Sequence, residues 1–60
     1  MESMTTYSVW LICPVDGERC ISTGLTLTDA RLRARLFGSL RRLPWENRDQ
    51  RTGDVVETNR

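Results

Sequence analysis

Asp16-Gly17 lies between two runs of strand-forming residues, Tyr7–Cys13 and Arg19–Leu25. Both residues tolerate positive φ, so the dipeptide is a strong short-range signal for a β-hairpin. The pattern around it agrees. Tyr7, Val9 and Leu11 alternate with Ser8, Trp10 and Ile12, as a strand with two distinct faces requires.

Loop length would set the register of this hairpin. A two-residue Asp16-Gly17 loop pairs Val15 with Glu18, Cys13 with Cys20 and Ile12 with Ile21. A loop one residue longer, closed by a glycine bulge, pairs Pro14 with Glu18, Leu11 with Ile21 and Tyr7 with Leu25. The longer loop is preferred because it gathers Tyr7, Val9, Leu11, Ile21 and Leu25 on one face, as a single-sided core demands. Only the shorter loop would set Cys13 and Cys20 opposite one another, and free thiols are the expectation in a reducing compartment.

A helix follows. Thr28 can cap its first turn and Asp29 complements the positive end of its dipole. Leu27 and Leu32 sit at staple positions. Leu32, Leu36, Leu40 and Leu43 recur at spacings of four, four and three, with Phe37 widening the stripe, which predicts a core-facing ridge of leucines. Arg31, Arg35 and Arg42 then share the opposite side with Gly38, and Pro44 stops the helix. Beyond it, Trp45–Gln50, a Thr52-Gly53 turn and Asp54–Glu57 predict a shorter second hairpin.

The expected architecture is therefore a single α+β domain over residues 1–60: a small antiparallel sheet built as β-hairpin, α-helix and short β-hairpin, with one amphipathic helix packed on one face. Residues 1–5 and 58–60 are expected to fray. Sixty residues bury one small core, and domains of this size usually draw on disulfides, metal, oligomerisation or unusually regular packing. With no histidine and two cysteines, no tetrahedral zinc site can be completed and no cofactor is expected. Met1–Thr6 show no secretory pattern, and the longest apolar run, Val9–Cys13, is too short to span a bilayer. The expected setting is cytoplasmic, with no membrane contact.

General acid–base chemistry has little to work with, because His and Lys are absent and there is a single Tyr. The expectation is no enzyme and no catalytic residue. The formal net charge of +1 gives little long-range attraction for nucleic acid. One helix cannot cover both faces of a sheet, so Trp10 and Ile12, with Trp45 nearby, are expected to form a partner-binding patch. Arg31, Arg35, Gly38 and Arg42 supply a second candidate surface on the helix. The functional expectation is a non-enzymatic protein-binding module: a small inhibitor, adaptor or assembly subunit that docks on a larger protein or on itself as a homodimer. Its size suits a phage or mobile-element product. The alternative is a nucleic-acid binder that uses the Arg-rich helix face on phosphates.

Overall fold

In the computed structural model, which describes residues 5–59, the chain runs β1 (Tyr7–Cys13), β2 (Gly17–Leu25), α1 (Leu27–Arg41), β3 (Trp45–Asp49) and β4 (Val55–Thr58). The four strands form one antiparallel sheet in the order β2-β1-β3-β4. The helix packs on β1, β2 and β3. This is the α+β arrangement that the two hairpin signals and the leucine periodicity predict. The second hairpin turns through Gly53, whose φ of 81° is the left-handed value glycine adopts without strain.

The first hairpin follows neither simple register. Tyr7 does pair with Leu25, as the longer loop requires, but nearer the tip Trp10 faces Cys20, Leu11 faces Arg19, Ile12 faces Glu18 and Cys13 faces Gly17. Two irregularities, between Tyr7 and Val9 and between Val9 and Trp10, absorb the difference. A bulge inserts an extra residue into one strand: here Thr23 and Gly24 together oppose Ser8, and Ile21 has no counterpart between Val9 and Trp10. Ile21 thereby still packs against the core although it does not face Leu11. Cys13 and Cys20 have different partners across the ladder, and neither is in a disulfide.

The helix begins two residues earlier than expected. Thr26, not Thr28, is the N-cap, and its hydroxyl accepts the Asp29 amide at 3.2 Å. Thr26 takes the role because its extended backbone (ψ 163°) turns its side chain back onto that amide, while Thr28 is already helical. At the other end Arg42 is left-handed (φ 54°), and Leu43 donates its amide to the Gly38 carbonyl at 3.1 Å. Pro44 then accepts the Ile12 amide at 2.9 Å, stitching the helix exit to β1.

The largest departure from the sequence reading is the rotation of the helix. Its buried residues are Ala30, Ala34 and Gly38, whereas Leu32, Leu36 and Leu40 are 61%, 56% and 70% exposed. Both rows have a spacing of four, and an offset of two residues is about 200° on a helix. Size decides between them. The sheet presents Tyr7, Val9, Ile21, Leu25 and Trp45 to the helix, and only small residues let the backbone come down onto that surface. At Gly38 an added Cβ would lie 2.5 Å from Trp45 Cδ1, closer than van der Waals contact allows. Gly38 is thus buried beneath the helix, not on its solvent side, and Trp45 belongs to the core face.

Two of the residues expected to fray, Thr58 and Asn59, make hydrogen bonds to β3. Thr58 pairs with Glu46 and donates its hydroxyl to the Trp45 carbonyl at 2.8 Å, while Asn59 Oδ1 accepts the Trp45 amide at 2.8 Å. Residues 1–4 and 60, which share the fraying expectation, lie outside the described residues.

Candidate functional site

The sheet face away from the helix carries Trp10 and Ile12, and both are half-buried. Polar groups cover much of that face in place of a second layer. The Arg48 guanidinium lies 4.5 Å from the Trp10 ring centroid, in cation–π contact. Its Nη2 reaches Glu46 at 2.7 Å and Glu18 at 3.0 Å. Trp10 Nε1 donates to Ser8 Oγ at 2.9 Å. Period-two alternation explains the assembly, since Ser8, Trp10, Glu46 and Arg48 all fall on this face through the β1–β3 register. The sequence marks both Tyr7–Cys13 and Trp45–Gln50 as strands; that Glu46 and Arg48 would lie over Trp10 depended on how the two pair.

On the other side of the sheet, Arg31 Nε donates to both carboxylate oxygens of Glu57, at 2.9 and 3.0 Å. Hydrogen bonding to Arg31 is the main cause holding the Glu57 carboxyl below its ordinary value of 4.5. The Arg31 guanidinium is raised in turn, chiefly by Glu57. A carboxylate depressed in the fold contributes stability above its unfolded pKa and loses it as pH falls through the folded one. Wild-type stability is therefore expected to drop more steeply than that of Glu57→Gln as pH is lowered below about 4.5. Parallel urea titrations measure this, and identical slopes would show that the pair adds nothing.

Next to this pair, Asn47 is fully buried opposite Val9, and neither its Nδ2 nor its Oδ1 has a hydrogen-bond partner among the described residues. The Glu57 carboxylate is near enough for the amide to help stabilise its charge, without the geometry of a hydrogen bond.

The most accessible apolar surface of the helix is the ridge of Leu32, Leu36 and Leu40. A shallow depression of about 400 Å³ lies along it, lined by Asp29, Leu32, Arg33 and Leu36. At 100° per residue, Arg33 and Arg35 project on opposite flanks of the ridge, and Arg42, the left-handed cap, follows its C-terminal end. Of the residues the sequence nominates, Arg35 falls on the ridge flank nearer Glu57, whose carboxylate its charge helps to stabilise, Arg42 is the cap beyond the ridge, Arg31 is tied to Glu57, and Gly38 sits with Trp45 inside the helix–sheet interface. Trp10 and Ile12 lie on the far face of the sheet. Sequence reasoning assigned the leucines to the core, and the signal against that was the second row of small residues two positions away.

A second open trough, of about 440 Å³, runs between the first hairpin tip and the helix end, lined by Leu11, Cys13, Asp16, Arg19, Cys20, Ile21, Arg41 and Leu43. Both of its thiols are engaged locally: Cys13 Sγ accepts the Asp16 amide at 3.4 Å, and Cys20 Sγ donates to the Ser22 carbonyl at 3.6 Å. Among the described residues no group of three or more His, Cys, Asp or Glu side chains could hold a metal ion, and no helix is long and apolar enough to cross a membrane. Comparison of the chain with protein-family models, with characterised proteins and with solved structures finds no match.

Proposed function

We propose that this chain is a non-enzymatic protein-binding module that docks on a larger protein through the outer face of α1, as an inhibitor, adaptor or assembly subunit. The observation that carries the reading is the ridge of Leu32, Leu36 and Leu40, each more than half exposed and aligned at four-residue spacing. A contiguous aliphatic row on a small domain is costly in water and is the usual mark of a contact surface. The protein's own core gains nothing from it, because the inward face of the helix is filled by Ala30, Ala34 and Gly38. Unpaired Cys13 and Cys20 suit the cytoplasm, where thiols stay reduced.

Photo-crosslinking in the native cell tests the reading. A benzoylphenylalanine at position 36 is expected to give a discrete protein adduct, abolished by Leu32→Glu and Leu40→Glu. The same probe at Arg51, in the exposed β3–β4 turn, is expected to give none. Equal labelling from both positions would remove the ridge as a binding surface.

A further inference from the structure

We infer, resting on that reading of the ridge, that its partner presents an acidic amphipathic helix: an aliphatic stripe flanked by aspartates or glutamates. The argument starts from how the structure distributes charge. The formal net charge is only +1, but half of the eight acids that balance it are engaged away from the ridge. Glu18 and Glu46 pair with Arg48 on the far face of the sheet, Glu57 holds Arg31, and Asp49 Oδ1 accepts the Arg51 amide within a turn. Among the described residues no carboxylate forms an ion pair with Arg33, Arg35 or Arg42. The outer face of α1 is thus a local basic field around a leucine row, with Asp29 its one acid.

Shape and charge then select the occupant. Leucines four residues apart form a convex row with steps of about 6 Å, and such a row seats between the side-chain rows of another helix. Arg33 and Arg35, one on each flank, stand where carboxylates bordering that helix would meet them, in the manner of flanking charges in paired helices. A second copy of this chain fits less well, since it would bring two sets of these arginines together. Nucleic acid also fits less well, because aliphatic side chains occupy the centre of the face and the guanidinium groups diverge around it.

The test uses the full chain and two synthetic helical peptides with the same leucine stripe, one flanked by glutamates and one by lysines. Fluorescence anisotropy is expected to show the glutamate peptide binding at least about tenfold more tightly, with the preference shrinking as salt rises. The triple change Arg33→Gln, Arg35→Gln, Arg42→Gln is expected to erase the preference without lowering the melting temperature, and Leu36→Ser to weaken both peptides. Equal affinity for the two peptides would overturn the inference. So would self-association in sedimentation that Leu36→Ser dissolves, or salt-sensitive binding to duplex DNA tighter than to the glutamate peptide and lost in the triple variant. An adduct at position 36 combined with no charge preference would sink this inference alone, whereas no adduct and no peptide binding would sink the docking surface with it.

Discussion

Ala34→Leu is expected to destabilise the protein by at least the upper part of the about 1–3 kcal/mol range for overpacked cores. Ala34 is fully buried against Val9 and Ala30. No solvent lies beside it to take the added carbons, so either the helix must lift from the sheet or the leucine must leave its preferred rotamers. For a domain of this size each kcal/mol moves Tm by roughly 4–8 °C, so a drop of roughly 10 °C or more is expected by circular dichroism. Leu36→Ala, two residues further along the same helix, is expected to change stability by no more than about 0.5 kcal/mol, as for other surface substitutions. The contrast tests which face of the helix meets the sheet. If Leu36→Ala melted the protein and Ala34→Leu were tolerated, the leucines would be the core and the proposed docking ridge would vanish.

Arg48→Met is expected to cost about 3 kcal/mol, the low end for removing one partner of a buried ion pair. The Arg48 and Glu46 side chains are 17% and 11% exposed, and the guanidinium also serves Glu18 and the Trp10 ring. Methionine keeps most of the aliphatic stem over Trp10 while deleting the charge, so the loss reports the electrostatic part. Its physical source is the 2.7 Å contact with the nearly buried Glu46 carboxylate, which the variant removes. The double variant Arg48→Met/Glu46→Leu is accordingly expected to recover most of the stability, because a well-packed apolar pair often equals or exceeds a buried ionic one. Urea denaturation of the two variants measures this. A single variant within about 0.5 kcal/mol of wild type would show the network to be a solvated surface feature.

The elements were legible in the sequence because they depend on local signals. Gly17 and Gly53 mark turns because glycine takes the positive φ of 81° found at both, β1 is recognisable by its alternation, and Pro44 stops a helix wherever it occurs. Which strands neighbour one another was not legible. The pairing of β1 with β3, which sets Arg48 over Trp10 and Asn47 opposite Val9, is a contact between segments far apart in the chain.

The helix shows most clearly where sequence stops and tertiary structure begins. Periodicity by itself determined that the segment between Thr28 and Pro44 forms a helix with one strongly apolar stripe, and the arginines outside that stripe were equally plain. Two rows spaced by four were present, one large and one small, and hydrophobicity favoured the large one. Only the packed sheet decided the orientation. Trp45 occupies the space over Gly38, so the helix approaches through its alanines and glycine and turns its leucines outward. Steric fit between surfaces, which no local pattern encodes, made a predicted core into the candidate binding face.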